Sequence, residues 1–178
     1  FLTAVDRDLG EAVNQIPTAS LAVVALGYDA AAVGGSPDGF GFLIPRGEGL
    51  RSLGCLWDSS IFPGRAPEGK ILLRVMIGGA HDPEAVELDD DSLVAVATSE
   101  LETTMGLAAA PSLRRVYRHR LGIAQYVHGH QARLNTIHER LGTRPGLWVT
   151  GSSFYGISMN ACIEHAQSLA PEIAANLG

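Results

Sequence analysis

The segment with the most chemical content runs from Leu147 to Ile163, LWVTGSSFYGISMNACI. An apolar run, a glycine turn, a second glycine and the entry to a periodic apolar segment follow one another. A chain that enters a helix this way leaves its first backbone N–H groups without intrahelical acceptors. Those of Ile157, Ser158 and Met159 can therefore hold an electron-rich oxygen, on an anion or at the edge of a cofactor. Gly151 permits a tight exit from the apolar run and Gly156 a close approach at the helix entry. The same order also serves as plain scaffold, so alone it defines no reaction.

A second group is Ala124-Gln125-Tyr126-Val127-His128-Gly129-His130, where polar and aromatic residues crowd a loop of the sort that lines sites. His128, His130 and His138 have no carboxylate or cysteine at ligand spacing, so no metal is expected. Ser152 and Ser153 lack the G-x-S-x-G elbow of a nucleophilic serine. Cys162 falls beside an apolar stripe and reads as a small hydrophobe. No acid pair is placed for hydrolysis, and neither a phosphate loop nor G-x-G-x-x-G follows any strand. The residues predict no acid, base or nucleophile, and the catalytic set is empty.

The elements that must position these groups follow from periodicity. Residues 3–16 read as a helix ending before Pro17. Ala19–Tyr28 is a strand with the continuous apolar run of a segment buried on both faces. Phe40–Pro45, Ser52–Asp58 and Lys70–Gly78 are strands divided by glycine- and proline-rich turns, which suggests hairpins. From Asp89 to Met105 the period changes, with Leu93, Val96, Ala97, Leu101 and Met105 on one helical face. Its opening acidic run, Asp89 to Asp91, suits the positive end of the helix dipole. Leu113–Arg120 alternates as a strand whose arginines, 114, 115, 118 and 120, read as exposed, with an anion site the minor alternative. Gln131–Leu141 is a helix and Leu147–Thr150 a short buried strand. From Ile157 onward Met159, Ile163, Ala166, Ala170, Ile173 and Leu177 form one stripe, with a kink or a second short helix expected at Pro171. Strands come first and helices later, an α+β arrangement.

The 178 residues carry a net charge of −6, which argues against nucleic acid as a partner. Two cysteines without paired spacing suit a reducing, cytoplasmic setting. No apolar run approaches the ~20 residues of a membrane helix. Asp6, Arg7 and Asp8 stand where a targeting peptide would be apolar. Since the chain opens at Phe1, a fragment is the expectation.

Four blocks, taken in order, resemble one family. GFGFLIPRGEG and LGCLWDSSIFPGRAPEGKILLRVMIGGA are similar to the substrate-domain strands of protoporphyrinogen oxidases. IAQYVHGHQARLNTI is similar to their I-P-Q-Y-x-x-G-H segment, and GSSFYGISMNACIEHA resembles their terminal flavin segment. Residues 17 to 170 are covered. Ala124 stands for the family's proline, Ala161 for its aspartate and Ala166 for its glycine, and Phe154-Tyr155 shifts the aromatic.

The resemblance implies FAD as cofactor and a tetrapyrrole as partner, with oxidation of protoporphyrinogen IX to protoporphyrin IX as the reaction. It implies that residues 1–120 are part of a mixed-sheet substrate domain with packed helices. Residues 121–178 would be a strand-helix segment returning to the FAD-binding domain. Ser152, Ile157, Ser158 and Met159 would meet the flavin, while Leu43, Leu56 and Met76 would line the macrocycle's pocket. A missing N-terminal FAD-binding half would supply the dinucleotide fingerprint, and without it the chain is expected to be inactive. Peripheral membrane contact and a homodimer fit the same resemblance. The other readings are a carotenoid desaturase-like enzyme and a non-catalytic tetrapyrrole-binding or interaction domain.

Overall fold

A computed structural model describes residues 1–177. In chain order the elements are α1 (Leu2–Val5), α2 (Arg7–Asn14), β1 (Thr18–Asp29), β2 (Gly41–Leu43), β3 (Ser52–Leu56), α3 (Asp58–Ile61), β4 (Lys70–Gly78), α4 (Asp90–Met105), β5 (Leu113–Ala124), α5 (His130–Gly142) and α6 (Met159–Leu177). Short 3-10 turns lie at Ala30–Val33 and Pro83–Glu87. The α+β class is as expected. The chain divides into two compact units, residues 19–122 and residues 1–18 with 123–178. No helix among the described residues is long and apolar enough to cross a membrane.

In the first unit the strands form one sheet in the order β2-β3-β4-β1-β5. The part of the sheet held by this chain is antiparallel, where a mixed sheet was expected for the whole substrate domain. The turn-rich divisions 44–51 and 57–69 explain why: short connections return the chain beside itself, whereas parallel strands need long crossovers. Alternation along β4 and β1 then sorts the side chains. Ile71, Leu73, Val75 and Ile77 share one face with Ala22, Val24, Leu26 and Tyr28. Against that face α4 lays Leu93, Val94, Ala97 and Leu101, all buried. Asp89 caps α4 by accepting from Ser92 N–H at 2.7 Å, so the acidic run does mark the helix start.

Two strand positions require glycine. A Cβ on Gly41 would stand 2.0 Å from the Cys55 carbonyl, and one on Gly54 would stand 2.3 Å from that of Phe42. Both have positive φ, 131° and 154°. They let β2 and β3 approach closely, and Gly54 also borders the bulge in the pairing of β3 with β4.

Of the arginines of β5, 114, 115 and 120 are exposed as expected, and 118 is half-buried. Arg118 donates from Nε to the Val86 carbonyl at 2.9 Å and from its terminal nitrogens to Leu88 O and Asp90. Arg120 pairs with Glu87 and holds that carboxyl below its usual range. These side chains satisfy the turn between β4 and α4, which leaves little for an outside anion.

The second unit differs from the expected single helix over residues 3–16. Asp6 is extended (φ −153°, ψ 116°) and divides α1 from α2. Its Oδ1 caps α2 by accepting from Leu9 N–H at 3.0 Å. The carboxylate is fully buried and also accepts from Arg140 at 2.7 Å and Arg144 at 3.1 Å. Hydrogen bonds from Arg140, then from Leu9 N–H, hold the Asp6 carboxyl well below the usual aspartate range. Such a group contributes stability above its unfolded pKa of about 3.9, and that contribution is lost as pH falls through the folded value. Asp6→Asn should therefore lower the thermal midpoint by several degrees at pH 7. The two proteins' midpoints should converge as pH drops below about 4, a trend thermal scans across pH would check.

Leu9, Ala12 and Ile16 of the N-terminal segment form a small core with Ala124, Leu134 and Ile137. Helix α6 continues through Pro171, so no second helix begins there. Proline there removes one donor, at the Gln167 carbonyl, on a helix whose face is open. The packed stripe also differs from expectation. Ala161, Cys162, His165, Leu169 and Ile173 are half-buried, whereas Met159 is 78% and Ile163 50% exposed. Leu177's side chain lies outside the described residues.

A candidate cofactor cradle and an open sheet face

The segment 147–150 is not a strand. With no neighbouring strand to pair it, Leu147 and Val149 instead rest half-buried against the small core around Leu134. The expected turn and helix entry are present. Gly151, at φ 117°, accepts from Phe154 N–H at 3.0 Å and Tyr155 N–H at 3.2 Å. Gly156 has φ 95°, and a Cβ on it would stand 2.5 Å from that of Ala161. Two constraints thus coincide: a left-handed backbone and no room for a side chain.

Ser158 caps α6, its Oγ accepting from Ala161 N–H at 3.1 Å and its carbonyl from Cys162 N–H at 3.1 Å. The cap serves the third residue of the helix, so the N–H groups before it stay open at the surface. Ile157 (51% exposed), Ser158 and Met159 are all accessible there. Ser152 is exposed, but its carbonyl is engaged, accepting from Tyr126 Oη at 2.7 Å. The structure therefore brings Ser152, Ile157, Ser158 and Met159 to one turn. Cys162 is half-buried, with Sγ 3.5 Å from the Gly156 carbonyl.

Aromatic rings support this turn. Tyr155 stacks on His165 with centroids 3.6 Å apart and planes at 6°, and its hydroxyl hydrogen-bonds His138 Nε2. Burial raises the pKa of its phenol. His165 Nδ1 meets Thr150 Oγ1 at 2.9 Å. The stack forms one wall of a cavity of about 520 Å³ that Arg144, Trp148 and Glu172 also line. Tyr126 stacks on His130, whose ring nitrogens are buried without partners and whose pKa burial lowers, with Arg133 nearby adding to the effect. His138 is thus a support of the turn, while the His128 carbonyl accepts from Arg133 at 3.3 Å. Spacing marks the Tyr126 segment as a loop with chemistry but does not connect it to residues 26 to 30 positions later.

In the other unit, register places Leu43, Leu56 and Met76 on one face. Leu43 lies opposite Gly54, and Gly54 opposite Met76, which lies opposite Val23. In the next row Gly41, Leu56, Arg74 and Ala25 align. This is the face that α4 does not cover. Leu43 is 75% exposed, and Leu56 and Met76 are half-buried. Gly54 is buried between Leu43 and Met76, and a Cβ on it would stand 3.1 Å from Leu43 Cδ2; the two outer residues are about 10 Å apart across two strand spacings. Arg74 is the one cation in these two rows; Asp58 holds its terminal nitrogen at 2.9 Å. Cys55 points the other way into the core, its thiol pushed up to about 12 by burial, so it is no nucleophile.

An open backbone cradle fits the edge of a flavin ring, which presents carbonyl oxygens and ring nitrogens to N–H donors. Coproporphyrinogen III oxidase of Bacillus subtilis (strain 168) is 33% identical over 150 residues, 84% of this chain and 32% of that protein. Chloroplastic protoporphyrinogen oxidase of Nicotiana tabacum is 34% identical over 145 residues, 79% of this chain and 26% of that protein. The chain thus spans about a third or less of the length of these relatives. A crystallised candidate protoporphyrinogen oxidase from Exiguobacterium sp. 255-15 shares the fold, with TM-score 0.82 over 97% of this chain and 38% of that one at 23% identity. The family described as flavin containing amine oxidoreductase matches residues 4–174, nearly the whole sequence. On that match, the chain belongs to the flavin-containing amine oxidoreductase family.

Proposed function

We propose that this chain is part of an FAD-dependent porphyrinogen oxidase and supplies two of its surfaces, a flavin-edge cradle and a macrocycle platform. The reaction is the oxidation of protoporphyrinogen IX to protoporphyrin IX, a loss of six electrons and six protons. FAD, when bound, supplies the hydride acceptor and is reoxidised by oxygen or another acceptor. The N–H groups of Ile157, Ser158 and Met159 hold the ring's electron-rich edge, and the α6 dipole favours negative charge there. Leu43, Leu56 and Met76 offer an apolar bed to a flat tetrapyrrole, with the thioether adapting to its contour.

The observation that supports this most is that these three residues, scattered over 34 positions, share the one sheet face left open by α4. Residues 1–120 then belong to the substrate domain and 121–178 to the FAD-binding domain. The compactness of 1–18 with 123–178 favours placing the N-terminal helices with the latter. The rest of the full-length protein would cover the exposed Met159–Ile163 face of α6. A cytoplasmic protein working at the membrane periphery suits so apolar a product.

Coproporphyrinogen III is the second candidate substrate, favoured by the name of the Bacillus relative. The full-length protein should bind FAD stoichiometrically and generate porphyrin fluorescence from one of the two porphyrinogens. A protein free of flavin, or active on neither, would sink the proposal. Comparing initial rates on the two substrates decides between them.

A further inference from the structure

We infer that Tyr126 is a positioning residue for the cofactor cradle, a clasp that closes the turn from Ser152 to Gly156. This rests on the flavin reading above. Its Oη donates to the Ser152 carbonyl at 2.7 Å and accepts from the Gly156 N–H at 2.9 Å. One hydroxyl thus joins both ends of a turn whose far end opens directly into the cradle. The ring is itself fixed, stacked on His130 with centroids 3.9 Å apart and planes at 13°. His130 is the first residue of α5 and more than nine-tenths buried, so the clasp is anchored in the core of its unit.

The hydroxyl's proton and one of its acceptor positions are used within the turn, so it has no proton left to give a bound cofactor. What Tyr126 sets is where Gly156 ends and so where Ile157, Ser158 and Met159 begin. Loss of the hydroxyl would leave a donor and an acceptor of the turn unpaired. The turn would widen, and the N–H groups would no longer converge on one point.

The test uses the full-length protein. Tyr126→Phe keeps the ring and its stack and removes only the two hydrogen bonds. Its FAD dissociation constant should rise about tenfold, and the bound flavin's visible bands should shift, since they report hydrogen bonds to the ring. Thermal stability of the apoprotein should change little. Hydrogen exchange at the Gly156 amide should be slow in wild type and fast in the variant. Wild-type affinity and spectrum in the variant would overturn the clasp while leaving the flavin reading intact. A wild-type protein that binds no flavin would overturn both. If Tyr126→Phe fails to fold, the wild-type Gly156 amide still decides: rapid exchange there would show that no clasp forms.

Discussion

Gly156→Val is expected to strip the flavin from the full-length protein. Valine, being β-branched, is poorly suited to φ 95°, and its Cβ would begin 2.5 Å from that of Ala161 in the first turn of α6. Relief requires either the turn or the helix entry to move, and either displaces the N–H groups that form the cradle. Backbone strain of this kind costs about 1–3 kcal/mol, and the clash adds to it. We therefore expect FAD affinity to fall by about 10- to 100-fold or more. Equilibrium dialysis of the apoprotein with FAD measures it. The equivalent change at Gly151 should be milder, since a Cβ there meets nothing within 4 Å and only φ 117° opposes it.

The second large effect is expected at Met76. Placed between Gly54 and Val23 in the sheet rows, its side chain belongs to the open face. Met76→Glu puts a carboxylate under a ring system that brings its own carboxylates, and burying that charge without a partner is costly. A penalty of about 2–3 kcal/mol corresponds to roughly a 30- to 150-fold rise in KM for the porphyrinogen. Flavin content should stay at the wild-type level, because Met76 lies outside the cradle. Steady-state kinetics alongside flavin absorbance separates the two. Leu43→Glu should act in the same direction with almost no cost to folding, since Leu43 is already largely exposed.

How much of this was legible from the residues depends on the range of the interaction involved. The strand Lys70–Gly78 is found where the flanking turn clusters bound it, and its buried Ile71, Leu73, Val75 and Ile77 alternate with a face that carries Lys70 and Arg74. Helix α4 begins at its Asp89 cap for a similarly local reason. The break at Asp6 was legible only in part: its cap on Leu9 is local, but the pairing that buries its carboxylate comes from Arg140, 134 positions away. The loss of a strand at 147–150 was not legible, since it turns on whether a neighbour exists to pair it.

The candidate site shows the same division. Glycine positions and a helix entry announce the cradle, while the clasp by Tyr126 depends on tertiary placement. The platform residues came from the family resemblance alone. Their shared face depends on register, and that register is altered by the bulge between Ser52 and Gly54, which no alternation count would place. Apolar spacing along α6 does not coincide with its buried face. In the structure His165 and Leu169 turn inward, leaving Met159 and Ile163 uncovered.

The claim that the open sheet face is a tetrapyrrole platform is tested most directly by titrating the full-length protein with protoporphyrin IX and following the Soret band. Wild type should bind saturably, and the Leu43→Glu/Met76→Glu double variant, with flavin content and melting unchanged, should lose that saturable phase. Equal binding by both proteins would contradict the account and move the macrocycle off this face.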